Sequence, residues 1–255
     1  MEVNLFGGIK LRIINKSIFV LLIAIMCLSV FCGCGVNPKQ IKRMQNLEEG
    51  VSNPTTIEEL KDAIEKYERR VEDVTSAAAQ TGIWYKILAS RYLDKGMYGE
   101  ALKYYQKAIE YFPANQNLYY YIGVCAGYMA KSSLDYNASG NFSQKENYLK
   151  LSESAYLRAL ELEPTYVRAL YGLSVLYVFD LDESEKAIPL LEKLLTIETR
   201  NTDAMMILAR AYYENYEFDR AVDMYNKIIS TSTSPEKKAA AEANKKQVLE
   251  MSYGE

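Results

Sequence analysis

Histidine is absent from all 255 residues, and that single absence removes several chemistries at once. Without an imidazole there is no Ser-His-Asp or Cys-His nucleophile, no His-Glu-x-x-His zinc helix and no histidine general base. Cysteine is nearly as scarce. Cys27, Cys32 and Cys34 fall within the first 35 residues, which leaves Cys125 alone in the body of the chain and excludes a disulfide framework there. Cys125 lies between Val124 and Ala126 in an apolar helical pattern, as a small buried hydrophobe does. An excess of one charge is lacking too. Lys and Arg total 30 against 33 Asp and Glu. Losing Lys10, Arg12, Lys16 and Glu2 with the first 33 residues leaves 27 against 32. Nucleic acid is therefore not an expected partner, because phosphate neutralisation needs a clustered basic surface. In place of these there is tyrosine, at 22 residues.

The N-terminal region carries Lys10, Arg12 and Lys16, followed by an uncharged apolar run from Ser17 to Phe31 that is too short to span a bilayer comfortably. That is the layout of a secretory signal. The run ends in Phe31-Cys32-Gly33-Cys34, which resembles the lipobox of bacterial lipoproteins. In that motif a small residue precedes a cysteine that is diacylated and becomes the new N-terminus. Gly33 fits the position before Cys34, whereas bulky Phe31 fits poorly before Cys32, so Cys34 is the expected site of lipid attachment. Read on through Val36, the stretch approaches the roughly 20 residues of a membrane helix, and an uncleaved signal anchor is the alternative. Both readings place the bulk of the chain outside the cytoplasm. Residues 34–54 hold Gly, Pro, Asn and mixed charge without sustained periodicity, which predicts a flexible tether reaching roughly 25 Å.

The rest of the chain repeats itself at a period of 34. Tyr85, Leu88, Ala89 and Tyr92 align with Tyr119, Ile122, Gly123 and Ala126, and Ala187 and Leu191 with Ala221 and Tyr225. Small residues at fixed places and a proline at unit ends, such as Pro113 and Pro164, complete a pattern that resembles the tetratricopeptide repeat. The resemblance covers four units over residues 81–233. It implies an all-α fold, a right-handed superhelix (α-solenoid) of helix hairpins in which no unit buries its apolar face alone. The second unit is interrupted, since Pro113 and Pro164 are a period and a half apart. The insertion at 128–150 is helical at both ends and rich in Ser, Asn and Gly in the middle, so a lengthened hairpin with a soft tip is expected there. Before the repeats, Thr56-x-x-Glu59 is a capping box. It opens a helix with Ile57, Leu60, Ile64, Tyr67, Val71 and Val74 on one stripe. Residues 55–80 are expected to form a packing helix over the first repeat's edge; a dimerising coiled-coil seam is the other reading of the same stripe. After the repeats, residues 234–255 form an expected C-terminal capping helix opened by Ser234-Pro235.

Asp180-Leu-Asp182-Glu183-Ser-Glu185 lacks the glycine and the spacing of a calcium loop, and reads as an interhelix turn in which Asp182 caps the next helix. No metal or other cofactor is indicated. The resemblance implies a binding face instead, because the first helix of each unit lines the concave side. The residues on its inward positions are Tyr120, Tyr128, Tyr171, Phe179, Met206 and Tyr213. Ser90, Tyr121 and Gly172 replace the polar clamp with which chaperone-binding members grip a terminal carboxylate, so aromatic and apolar contact is expected to dominate. The same tyrosines could equally pack against neighbouring helices. The expected function is a non-enzymatic protein–protein interaction scaffold that binds protein partners in an envelope assembly. A lipid would anchor it to the membrane, at the periplasmic side of the outer membrane. The alternative is a transporter-associated periplasmic component handling a substrate-binding protein or a small apolar ligand.

Overall fold

A computed structural model describes residues 54–136 and 142–253. The signal-like segment, Cys34, the tether up to residue 53 and the centre of the insertion lie outside the described residues. Among the described residues the order is α1 (Ile57–Asp94), α2 (Tyr98–Ile109), α3 (Gln116–Tyr136), α4 (Phe142–Leu162), α5 (Val167–Phe179), α6 (Ser184–Ile197), α7 (Thr202–Glu214), α8 (Phe218–Thr231) and α9 (Pro235–Tyr253). The chain divides into two compact units, residues 1–72 and 73–255.

In the first unit the capping box forms as the spacing requires: Glu59 N–H donates to Thr56 Oγ1 at 3.2 Å, and Thr56 N–H donates to Glu59 Oε2 at 3.1 Å. Backbone and hydroxyl donors from Thr55 and Thr56 hold the Glu59 carboxyl below its usual range. The polar side of the helix is laced by Lys66–Asp62 and Arg69–Glu65 pairs at four-residue spacing. The helix expected to end near residue 80 does not end there. Ala77, Ala78, Ala79 and Gln80 are strong helix formers with no proline among them, and α1 runs unbroken to Asp94. Residues 55–80 are therefore not a separate packing helix. The stop comes at Gly96, whose φ of +69° reverses the chain while Met97 N–H closes on Tyr92 O at 2.9 Å.

The second unit is a succession of hairpins, α1/α2, α3/α4, α5/α6 and α7/α8, followed by α9. Each helix of the second hairpin has 21 residues, against 12 in α2 and 13 in α5, so the insertion lengthens both arms. Two apolar clusters fill the unit, one centred on Tyr105, Leu118 and Cys125 and one on Leu170, Leu191 and Leu208. Helix α4 serves both, with Ala155 in the first and its neighbour Tyr156 in the second. Each fully buried leucine here contributes roughly 1.5–3 kcal/mol through loss of water contact. Cys125 is buried, and desolvation pushes its thiol up to about 12, as a packed hydrophobe rather than a nucleophile.

Close helix approach is made on glycine. The Tyr156 ring from α4 lies against Gly123 of α3 and Gly172 of α5, and a Cβ on either glycine would sit 2.7–2.8 Å from ring carbons. On the same turn Ser152 Oγ donates to Gly123 O at 2.8 Å, locking α4 to the backbone of α3. The turns repeat as well. Asp182 adopts φ +55° and Tyr216 φ +63°, 34 residues apart, and Glu183 and Glu217 N–H groups close on Tyr177 and Tyr212 carbonyls. Asp182 thus forms the turn rather than capping α6; Glu183 holds the cap position without a side-chain hydrogen bond.

Those carbonyl-supplying tyrosines carry a repeated polar staple. Tyr177 Oη donates to Glu153 Oε1 at 2.9 Å, with Lys186 over its ring at 5.4 Å. One unit on, Tyr212 Oη donates to Glu192 Oε1 at 2.7 Å, with Arg220 over its ring at 4.1 Å. In both cases the tyrosine belongs to a first helix and the glutamate to the preceding hairpin's second helix, so each staple ties one repeat to the next. Beyond the last hairpin, α9 starts on a Ser234 Oγ that accepts from Lys237 N–H at 3.2 Å. It buries Ala241 and Val248, as a terminal cap of a repeat array should.

Two predictions come from this packing. Gly123→Ala should destabilise the protein by about 1–3 kcal/mol, because the ring has nowhere to move. In a Tyr156→Leu background the same change should be nearly neutral, and denaturant titration of the four proteins gives the coupling. The second concerns alkali. Burial raises the phenols of Tyr105, to about 12, and of Tyr177 and Tyr212, the last two helped by their glutamates. A raised folded value means that stability is complete below the usual phenol value near 10 and is lost as pH rises through the folded value. The melting temperature should therefore hold to about pH 10 and fall between there and about 12, with tyrosinate absorbance rising in the same window.

Candidate functional site

Three of the six expected face residues come together. Tyr120 and Tyr128 from α3 and Tyr171 from α5 line one cavity of about 250 Å³, with Val124, Lys131, Tyr156, Gly172, Val175 and Asp180 among the other lining residues. Their convergence follows from the helix period. Positions 120, 124 and 127 or 128, then 131, recur at steps of three and four along α3, and the adjacent pairs 171/172 and 175/176 lie four apart along α5, so each helix turns one face to the same space. Gly172 matters twice, since its missing side chain admits the Tyr156 ring and opens the wall beside it. The cavity is a cleft open to solvent rather than an enclosed chamber.

The rings differ in how firmly they are held. Tyr120 is the most integrated: its ring is 5.1 Å from Tyr121 and 5.9 Å from Tyr166, both edge-on, and 6.0 Å from Tyr156. Burial raises its phenol, and Arg168 opposes the rise. Tyr156 at the back of the cleft is raised further, again by burial first and then by the neighbouring phenols and Asp180. Tyr171 packs against the larger apolar cluster and is raised chiefly by burial. Tyr128 is 45% exposed and lies flat on Tyr98 of α2, with centroids 4.1 Å apart and planes 7° from parallel. It is the ring most available to a ligand.

The other three face residues lie elsewhere. Phe179 is 51% exposed at the end of α5 and carries the Arg210 guanidinium 5.1 Å from its centroid. Met206 is half-buried beneath α9, with Asn244 Nδ2 3.6 Å from its sulfur. Tyr213 is half-buried against Phe218 at 5.9 Å. Two of the three residues at clamp positions are engaged within the fold: Ser90 shares a 3.0 Å hydrogen bond with Tyr105 Oη, and Tyr121 stacks on the Tyr105 ring at 5.1 Å. Lys131 was not singled out by sequence reasoning, and Asp180 figured there only in the acidic interhelix turn. Both are ordinary surface charges by composition, and only the adjacency of α3 and α5 puts them at one cleft. The cleft combines phenol faces, apolar wall and one charge of each sign, which suits the side chains of a bound polypeptide.

Comparison with known proteins bears on the repeats themselves. Residues 83–115 and residues 179–241 match tetratricopeptide-repeat families. A tetratricopeptide repeat-containing protein of Borreliella burgdorferi is 26% identical over 222 residues, spanning 84% of this chain and 93% of the relative. Among solved structures, the thermophilic tetratricopeptide-repeat protein TTC0263 of Thermus thermophilus superposes with a TM-score of 0.51 at 17% identity, covering 74% of this chain and 92% of that one. YrrB, described as a tetratricopeptide-repeat protein with an unusual peptide-binding site, superposes at 0.51 with 20% identity, covering 73% and 85%. At those identities the structural likeness speaks for the fold. Periodicity, hairpin geometry and the family matches agree on tetratricopeptide repeats at residues 83–115 and 179–241.

Proposed function

We propose that this protein is a non-enzymatic scaffold that binds a protein partner through the tyrosine-lined cleft between α3 and α5, while an N-terminal lipid on Cys34 holds it at a cell-envelope membrane. Tetratricopeptide repeats generally mediate protein–protein interaction, which supports the scaffold class. The observation that carries the site is the convergence of Tyr120, Tyr128 and Tyr171 on one cleft with Asp180 and Lys131 at its wall. Large rigid rings supply contact area at little entropy loss, and a partner's side chains can reach them without any helix moving. YrrB's peptide-binding site on the same repeat architecture supports the reading by analogy. An open cleft suits an extended chain better than the enclosed chamber that a small apolar ligand would need. The anchor rests on the order of charged segment, apolar run and Gly33-Cys34 junction.

Cross-linking the protein in its native membrane and identifying its neighbours supplies the partner for the test. Tyr128→Ala with Lys131→Ala should leave helicity and melting close to wild type and weaken capture of that partner by about 2 kcal/mol or more, the loss typical of a true anchor. Undiminished capture by the folded double variant would sink the cleft assignment. For the anchor, Cys34→Ala should leave the protein unlipidated with its N-terminal segment uncleaved. Mass spectrometry of wild-type protein showing no acyl modification at Cys34 would refute it.

A further inference from the structure

The first half of α1 carries an apolar stripe whose neighbours in the chain leave it open. Ile57, Leu60, Ile64, Tyr67 and Val71 are all between 41% and 67% exposed. Their steps of three, four, three and four are those of a heptad, with β-branched Ile57, Ile64 and Val71 at one seam position and Leu60 and Tyr67 at the other. β-branched residues at the first position favour two-stranded packing. A stripe at that spacing is matched best by another helix with the same spacing, and this chain provides one in every copy.

The charges beside the stripe indicate direction. On the far side of the helix, Asp62 pairs with Lys66 and Glu65 with Arg69. Lys61 and Glu68, by contrast, flank the seam on the same edge one heptad apart, and neither joins any of the ion pairs seen in the described residues. If two such helices run parallel, Lys61 and Glu68 on this edge face Thr56 and Ala63 of the second copy, which offer no charge, while Arg70 further along that opposite edge lies over its own Tyr67 ring at 5.2 Å. If they run antiparallel, the edge faces itself. With the two-fold axis between residues 65 and 66, Leu60 layers on Val71 of the second copy and Ile64 on Tyr67. Lys61 then meets Glu68 of the second copy on one side, and the symmetry repeats the pair.

We propose that two copies of this chain associate through an antiparallel pairing of residues 57–72, with Ile64 and Tyr67 at the centre and two reciprocal Lys61–Glu68 ion pairs fixing the orientation. The contact is isologous and short, so it is reversible and concentration-dependent. Holding two molecules on one surface raises their effective concentration and favours it. The proposal stands independently of the cleft on α3 and α5.

The full chain, purified in a mild detergent, is taken through a concentration series by sedimentation equilibrium. Wild-type protein should pass from monomer to dimer, and Ile64→Glu should remain monomeric with its helicity kept. Lys61→Glu and Glu68→Lys should each weaken the dimer several-fold, since each replaces two attractive pairs with two repulsive ones. The double exchange Lys61→Glu/Glu68→Lys should restore wild-type association. A wild-type monomer at every concentration would overturn the proposal and leave the stripe to a helix of another protein or to a lipid surface. A dimer that survives Ile64→Glu places the contact elsewhere, and overturns it as well. Charge variants that fail to compensate overturn the antiparallel arrangement.

Discussion

The second unit depends on how closely consecutive helices can approach, and at its middle the Tyr156 ring is packed against both Gly123 and Gly172. A tyrosine of α4 can approach α3 and α5 together only because both lack a side chain at the point of contact. The hydroxyl of Ser152 then bonds the very carbonyl that Gly123 exposes, at 2.8 Å. Removing water from a polar backbone group inside a helix pair is unfavourable unless the group is hydrogen-bonded, so close packing and the serine belong to one solution. The same contact delimits the cleft, since Tyr156 and Gly172 are part of its wall.

Polar contacts carry the stacking beyond that point. The Tyr177–Glu153 and Tyr212–Glu192 staples recur with Lys186 and Arg220 over the rings, and Lys186 and Arg220 are themselves bonded to Glu183 and Glu217. The paired carboxylates and cations are exposed enough that each ion pair by itself contributes little. Their value lies in repetition at these two junctions, where a phenol already buried for packing gains a partner for its hydroxyl. An array built this way gathers its stability from neighbour to neighbour rather than from one central core.

Tyrosine serves three purposes along the chain. At Tyr105 and Tyr156 it is core, at Tyr177 and Tyr212 it joins repeats, and at Tyr128 it lies open on Tyr98. Half of the expected face residues converge on the cleft, and the other half are engaged by other partners. Met206 is taken up by α9, and Tyr213 by Phe218. Phe179 lies where α5 ends, under Arg210.

Local rules were enough for much of this. The capping box at Thr56, the 34-residue period, the helical hairpins, the lengthened second hairpin and the terminal cap after Ser234 are short-range patterns, legible because helix geometry depends on residues three and four apart. The absence of histidine, read in the same way, set aside whole classes of catalysis. What only the tertiary structure decided were relations between helices. Gly172 stood in the sequence as a missing clamp residue and proved to be the seat of the Tyr156 ring. Asp182 met every local criterion for a helix cap, yet its left-handed backbone, shared with Tyr216, makes it a turn instead. Lys131 and Asp180 have no sequence relationship at all; they share a cleft because α3 and α5 pack side by side. The period of a helix is written in its own residues, whereas the company its side chains keep is set by which helix lies alongside, and that depends on the summed packing of the array.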